Sequence, residues 1–450
     1  MIPLRLREIG SATIVRGDPD LTITDVVTDS RQTRPDALFV CLRGERHDGH
    51  DFAAEAAAGG AVAILCERGR GTCAPAVPTL EAVNPLAALG DLARRVRRRS
   101  LAPVVGIAGA AGKTSTKDVL GALLAPQLPT VASPASYNNE LGVPLTLALL
   151  EPETAACVCE LGTGAPGELA RLCRIAEPSL GVITAIGPEH LEFFGSAEAV
   201  AAEEAALIAA LPSGAPLVLP LDEDLLAPHR RTDLDEWTFG LDERADVRPV
   251  AWQKAAAGTD ARFLVRARPL AFTTNLRLPH HRLTLAAAIA AYAALGLPLE
   301  RIVDGAARIA LSPGRGEERR LRCGALLIDD AYNANPVSLA AGLEALVSRR
   351  NGGRAVAVLG GMAELGPQAS RLHARAARQA AALGVDLLVA VGPAARAYLD
   401  GATGQLECRW LVDLDAATRA LPAMLRPADV ILLKGSHSTG VGQLAQVLVD

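Results

Sequence analysis

The chain has 450 residues, too many for one ordinary hydrophobic core, since single cores stop growing at roughly 250 to 300 residues. Half of the residues are hydrophobic and only 3% are aromatic, which suits helices packed on sheets and excludes an intrinsically disordered chain. A net charge of -5 excludes the broad basic field that attracts nucleic acid or anionic lipid.

Along the chain, Met1 to Glu8 alternates apolar and charged residues, without the apolar core of a signal peptide. No later segment reaches the roughly 18 uninterrupted apolar residues of a membrane span. A cytoplasmic monomer with no nucleic-acid or membrane partner is expected. Strands are predicted over residues 21–28, 37–42 and 61–66, with a helix near 51–58, giving a small α/β domain over residues 1–100. A helix over 84–99 leads out of it. Its terminal run Arg94, Arg95, Arg97, Arg98 and Arg99 complements the helix dipole and stays hydrated.

Apolar strands at 103–108, 156–161, 180–184 and 217–219 alternate with amphipathic stretches, the mark of a mainly parallel sheet covered on both faces. This central unit, residues 101–311, reads as a phosphate-loop ATPase-like sheet. After Ser312-Pro313-Gly314 the rhythm restarts, with strands at 325–329, 354–360, 386–391 and 429–434, as a Rossmann-like α/β unit over 312–450. The eight cysteines have no paired CxxC spacing and read as small buried hydrophobes.

Gly109-Ala110-Ala111-Gly112-Lys113-Thr114 follows a predicted strand and opens a predicted helix. Ile107 stands where the longer G-x-x-x-x-G-K-T pattern has its first glycine, so only the shorter G-x-x-G-K-T form is present. Its chemistry is that of ATP binding. Backbone N–H groups from Gly109 to Gly112 and Ser115 in the first helical turn surround phosphates, Lys113 reaches the terminal phosphates, and Thr114 can ligate Mg²⁺. Glu160 and His190 each follow a strand of the same sheet, where ligands of open parallel sheets bind, and could hold a second Mg²⁺. Asp330, at the end of a strand in the third unit, could bind a ribose hydroxyl. Arg315, in the linker, could reach a phosphate once the units close.

These motifs extend into a resemblance that spans nearly the whole chain. Asp29-Ser30-Arg31, Leu38-Phe39-Val40, Asp48-Gly49-His50-Asp51-Phe52, the phosphate loop, and Tyr137-Asn138-Asn139-Glu140-Leu141-Gly142-Val143-Pro144 all resemble the Mur ligase family. So do Glu160-Leu161-Gly162, residues 187–195, residues 329–336, Leu365-Gly366 and Lys434-Gly435-Ser436. The resemblance implies a UDP moiety near Ser30 and Arg31, and a muramoyl substrate facing Asn138 and Asn139, with Asn333 and Asn335 on the substrate side. ATP would phosphorylate the carboxylate of a UDP-linked muramoyl peptide. The amine of D-alanyl-D-alanine would then displace phosphate to form an amide, with Lys113, Glu160, His190 and Glu204 as catalytic groups and Thr114, Glu160 and His190 on the metal.

Three positions depart from the family pattern. Glu204 stands where the family has a carbamylated lysine, and its side chain is shorter by roughly 3 to 4 Å. The adenine-contacting stretch reads His280-His281-Arg282-Leu283-Thr284, keeping His280 and placing Thr284 at an asparagine position. Gly361 replaces an aspartate. These changes leave open a ligase on the same scaffold that joins a different carboxylate and amine, and a noncatalytic nucleotide-binding protein.

Overall fold

A computed structural model describes residues 1–449 apart from 75, 257 and 405. Three separate sheets follow one another along the chain, with a two-stranded pair, Leu4–Arg5 and Thr22–Ile23, beside the first. The first sheet runs Ala12–Arg16, Thr79–Ala82, Ala61–Glu67, Ala37–Val40, Asp25–Val27. The single strand expected over 21–28 is broken in two. Thr22–Ile23 pairs with Leu4–Arg5, whereas Asp25–Val27 pairs with Ala37–Val40, because the Thr24 N–H donates instead to Asp36 O at the crossing point.

The middle sheet has nine strands among the described residues, and the seven from Thr130–Ala132 to Val247–Ala255 are joined by six parallel pairings. Val104–Ala108 lies between Ala156–Glu160 and Leu180–Ile183, all three fully buried, which explains their unbroken apolar sequence. Antiparallel Gly258–Val265 and Arg268–Thr274 extend the far edge, an extension that a parallel-sheet reading does not foresee. Their burial alternates along the strand, so each contributes only one face to the core.

Helices Lys113–Leu124 and His281–Ala294 cover one face of this sheet. The other face shares a core with the first unit: Leu89, Leu92 and Val96 of helix Pro85–Arg99 sit in one cluster with Leu38, Leu65, Leu172 and Leu207. That helix begins at Pro85 because the Asn84 side chain accepts from the N–H groups of Leu86 and Ala87. It is therefore an internal wall and not a free connector.

The third sheet runs Glu317–Arg320, Leu326–Asp329, Val430–Lys434, Ala355–Leu359, Leu387–Val391, Glu407–Leu411, parallel except for its first strand. All eight thiols are free, but Cys323 is exposed and Cys73 and Cys408 are half-buried, so those three depart from the expectation of buried hydrophobes.

The third unit presses directly on the second. A Cβ built on Gly187 would lie 2.2 Å from Val337 Cγ2, in the first turn of helix Pro336–Ser348. Overpacking of this kind costs about 1 to 3 kcal/mol. Gly187→Ala is accordingly expected to lower the stability of the chain by about 1 to 3 kcal/mol in denaturant titrations. Stability equal to that of the unaltered chain would show that the two units yield at this contact without cost.

Candidate active site

The loop between Val104–Ala108 and Lys113–Leu124 takes its shape from two glycines. Gly109 has φ +122°, and a Cβ there would meet Thr184 Oγ1 at 2.5 Å and Ala185 O at 2.9 Å. Gly112, at φ +89°, turns the chain into the helix. The Ala110 N–H anchors the loop to Ala185 O at 2.7 Å, and Lys113 Nζ folds back onto Gly109 O. The result is a preformed phosphate cradle at a helix N-terminus.

Carboxylates surround the lysine. Glu189 Oε1 lies 3.5 Å from Lys113 Nζ. Glu204, fully buried on helix Ala197–Glu204, accepts the Gly109 N–H through Oε2 at 2.7 Å, and its Oε1 makes no hydrogen bond. Burial alone would drive the Lys113 ammonium below its ordinary value, but Glu189, Glu204 and Glu160 hold it above that value. Burial is also the main reason Glu204 is pushed up to about 7, with Glu189 adding repulsion while Lys113 and the Gly109 N–H pull the other way. Glu204 thus sits beneath the phosphate loop, whereas its neighbour Glu203 caps helix Glu168–Ala176, earlier in the chain, by accepting from Gly167 N and Leu169 N.

Glu160, at the end of its strand, gathers the second group. Its Oε1 accepts from Thr114 Oγ1 at 3.1 Å and from Asn138 Nδ2 at 2.8 Å, while buried Oε2 has no partner. Asn139 caps helix Gly142–Leu147 by accepting from Leu141 N and Gly142 N. His190 faces the same cavity, with Nδ1 2.5 Å from Glu364 Oε2 of the third unit. Among the described residues no three His, Cys, Asp or Glu side chains converge tightly enough to hold a metal by themselves. The Thr114 hydroxyl and the unpartnered Glu160 oxygen do fit Mg²⁺, a hard ion that takes few protein oxygens and completes its shell with water and phosphate.

The third unit closes over this cluster. Arg315 Nη2 donates to Thr114 Oγ1 at 2.9 Å, with its guanidinium 4.1 Å from the centre of the Tyr332 ring. Asn335 Nδ2 donates to Ala110 O at 2.8 Å and to Glu189 Oε2 at 3.0 Å, while its Oδ1 caps the helix through Ser338 N. Both ends of the Asn335 amide are therefore engaged within the protein. Asn333 Oδ1 accepts from Ala334 N.

Three cavities collect most of the residues singled out from the sequence. One of about 600 Å³ is bordered by Lys113, Thr114, Asn138, Glu160, His190 and Arg315, as well as Asn139, Asn333 and Asn335. A second, of about 430 Å³, joins it across Gly112 and Arg315 and is walled by Ser115, His280, Thr284 and Asp330 together with apolar Phe239 and Leu283. Burial lowers the pKa of His280, and its Nδ1 has no partner. Asp330 is held by Lys434 Nζ at 2.6 Å. A third cavity of about 950 Å³ lies in the first unit, where Ser30 and Arg31 line it beside Phe39, His50 and Leu141. Arg31 is paired to Asp29 through two bonds of 2.9 and 2.7 Å. Gly109 and Glu204 border none of the three.

Sequence reasoning passed over several groups that the structure places at the centre. Glu189, within residues 187–195, carries no local signal that sets it beside Lys113. Lys117, four residues after Lys113, is buried and donates to Ser133 O at 2.9 Å and Ala135 O at 2.7 Å, supporting the loop that carries Asn138. Its neighbour Asp118 accepts from Ser312 N at 2.7 Å, tying the phosphate helix to the linker before Arg315. The one-turn spacing of Lys113 and Lys117 was a visible signal, because a second lysine on the buried side of a helix requires acceptors.

A phosphate loop closed by an arginine and an asparagine carboxamide that follow their contacts in it by 201 and 225 residues, within three consecutive α/β sheets, defines an ATP-dependent ligase scaffold. Residues 22–97 match the Mur ligase family catalytic domain, 107–292 the Mur ligase middle domain and 314–437 the Mur ligase glutamate ligase domain. The UDP-N-acetylmuramoyl-tripeptide--D-alanyl-D-alanine ligase of Mycobacterium tuberculosis is 37% identical, over 94% of this chain and 91% of its own. The Escherichia coli enzyme of that name is 32% identical, over 96% and 95%. The chain belongs to the Mur ligase family. Among solved structures, MurF from Acinetobacter baumannii superposes with a TM-score of 0.89 at 28% identity, covering 99% of both chains. The MurF ligase of Thermotoga maritima in complex with ADP superposes with a TM-score of 0.81 at 27% identity, over 94% and 96%.

Proposed function

We propose that this chain joins D-alanyl-D-alanine to UDP-N-acetylmuramoyl-tripeptide at the expense of ATP, a step of peptidoglycan synthesis. The observation that carries this reading is the convergence of Lys113, Thr114, Glu160, Asn138 and Arg315 on one cavity between the second and third units. Near-full-length similarity to ligases of that name supports the choice of substrates.

In this reading residues 1–100 hold the UDP moiety in the cavity of Ser30 and Arg31, residues 101–311 bind ATP, and 312–450 close over both. Adenine enters the apolar side of the cavity walled by Phe239 and Leu283, where His280 Nδ1 and Thr284 are the polar groups at hand. Asp330 faces the ribose. Phosphates lie on the Gly109–Gly112 backbone, and Lys113 and Arg315 meet the charge that develops as the terminal phosphoryl group moves to the peptide carboxylate. The amine then attacks the acyl phosphate and inorganic phosphate leaves. Thr114 and Glu160 would hold Mg²⁺, which neutralises phosphate charge when bound. Asn335, Glu189 and Lys117 position the loop, and Asn335 and Glu189 also border the reactant cavity. No helix among the described residues is long and apolar enough to cross a membrane, and we place the enzyme in the cytoplasm as a monomer.

The test is phosphate release by the purified chain with Mg-ATP, UDP-N-acetylmuramoyl-tripeptide and D-alanyl-D-alanine, each omitted in turn. Release that requires all three, with the amide product seen by mass, is expected. ATP binding without release would leave a nucleotide-binding protein, and release only with another carboxylate and amine would replace the substrates named here.

A further inference from the structure

Three cysteines of the first unit share one apolar cluster, and one of them, Cys41, lines the cavity of that unit. Ala37–Val40 and Ala61–Glu67 are parallel neighbours in the register Phe39 to Ile64 and Val40 to Leu65, and the Cys41 N–H continues the ladder by donating to Leu65 O at 2.8 Å. Cys41 and Cys66 therefore stand side by side at the ends of adjacent strands. Side chains alternate faces along a strand, so both thiols point to the face that holds Phe39 and Ile64, and all four belong to one apolar cluster. Cys41 and Cys66 are completely buried.

The third thiol comes from a turn. Cys73 N donates to Arg70 O at 3.0 Å, and the Cys73 side chain packs, half-buried, on the apolar cluster that contains Cys41 and Cys66, while the Cys66 thiol donates to Leu80 O at 3.4 Å. The turn is tied down on either side, by Arg70 to Asp48 Oδ2 at 2.8 Å and by Gly71 N to Glu81 Oε1 at 2.8 Å. The three cysteines thus share one apolar cluster, and Cys73 is the one partly open to solvent. Cys41 also borders the 950 Å³ cavity beside Ser30 and Arg31.

We propose that Cys73, Cys41 and Cys66 form a peroxide-responsive thiol site, in which Cys73 is oxidised first and one of the two buried thiols then captures it as a disulfide. Cys73 sulfur attacks the O–O bond of a hydroperoxide, forming Cys73 sulfenic acid as water or an alcohol leaves. The neighbouring thiol gives up its proton, its sulfur attacks the sulfenic sulfur, and hydroxide departs as water. Two thiols are oxidised by two electrons and the peroxide is reduced by the same two. Burial pushes the Cys66 thiol up to about 12 and raises Cys41 as well, so these two are poor first targets and act only once an adjacent sulfenic acid has formed. Redox chemistry fits better than metal ligation, since among the described residues no group of such side chains is arranged to hold an ion. A bond to Cys41, or to Cys66 beside it, would shift the strand ends behind the cavity wall and reshape the surface that Ser30 and Arg31 share. That consequence rests on the reading of the cavity as the UDP site.

The experiment treats the full-length native chain with hydrogen peroxide, then maps disulfides by mass spectrometry and counts thiols after unfolding. The expected result is a fall from eight titratable thiols to six, with a linked peptide pairing Cys73 with Cys41 or Cys66. Cys73→Ser, a change on a half-buried turn, should abolish the link while far-ultraviolet dichroism stays the same. Eight free thiols after treatment, Cys73 overoxidised without a partner, or a link that survives in Cys73→Ser would each overturn the site. UDP alone, titrated by calorimetry, should bind the oxidised chain several-fold more weakly and recover with dithiothreitol. A confirmed link with unaltered UDP affinity overturns the coupling to the cavity, whereas a reduced chain that binds no UDP counts against the UDP reading and leaves the mapped disulfide standing.

Discussion

Lys113→Met is expected to lower phosphate release by about a thousandfold or more, because the ammonium is a fixed charge aimed at the transferred phosphoryl group in a water-poor site. The unsubstituted side chain is held by Gly109 O and faces Glu189 at 3.5 Å, so it is preorganised before any nucleotide enters. Removing it also leaves Glu189, Glu204 and Glu160 without their shared counter-charge. Breaking a buried pair from one side costs about 3 to 5 kcal/mol where the remaining charge has no escape. Here burial pushes Glu204 up to about 7, so it can take up a proton, and the loss in stability should be at the low end of that range while the loss in rate stays about a thousandfold or more. Stopped-time phosphate assays and a thermal melt separate the two effects. A variant that keeps a tenth of the activity would remove Lys113 from the chemistry.

The second large effect belongs to Glu204. Its folded-state pKa of about 7 lies above its ordinary value of 4.5. The unfolded chain therefore releases this proton at lower pH than the folded chain, so folding is favoured by the protonated form. That contribution is fully present below about pH 4.5 and is lost as pH rises to about 7. A glutamine that mimics the neutral acid avoids the loss. Glu204→Gln should thus be more stable than the unaltered chain at pH 8 by up to about 3 kcal/mol, and the two should converge near pH 5 in denaturant titrations.

Activity should move the other way. Glutamine still accepts the Gly109 N–H but carries no charge, and alanine does neither. Turnover is expected to fall modestly in Glu204→Gln and about a hundredfold in Glu204→Ala, with ATP binding reduced far less in both. Since the carboxylate is part of the chain, added or removed bicarbonate should not alter the rate. Bicarbonate dependence, or equal stability of the two proteins at pH 8, would show that Glu204 does not act as the buried acid beneath the loop.

Much of this site was legible in linear form. Gly109 to Thr114 could be placed at a strand end because the apolar run before it and the polar helical pattern after it differ in period, and the structure puts Gly112 at the turn into the helix. Glu160 and His190 were recognisable because ligands in parallel sheets gather beyond strand ends. Their partners were not legible. Nothing local in Glu364 announces a contact with His190, and nothing in Asn335 announces Ala110, 225 residues earlier. Glu204 reads as one of two glutamates on a helix, and only packing decides that Glu203 caps a neighbouring helix while Glu204 is buried under Gly109.

The sequence by itself determined the class of the molecule and the chemistry it can perform. Hydrophobic period separates strands from helices, glycines with positive φ define the phosphate loop, and residue type sets which groups can carry charge or bind oxygen. The tertiary structure alone decided which charges face one another, because each pair depends on the approach of elements far apart in the chain. It broke the strand expected over 21–28 between two sheets and added an antiparallel edge to the central one. It brought Arg315 to Thr114 across 201 positions, and it set Cys73 against Cys41 and Cys66. The reason is physical: local sequence governs backbone preference within a few residues, while burial, and with it the strength of every charge and hydrogen bond, exists only once the whole chain has packed.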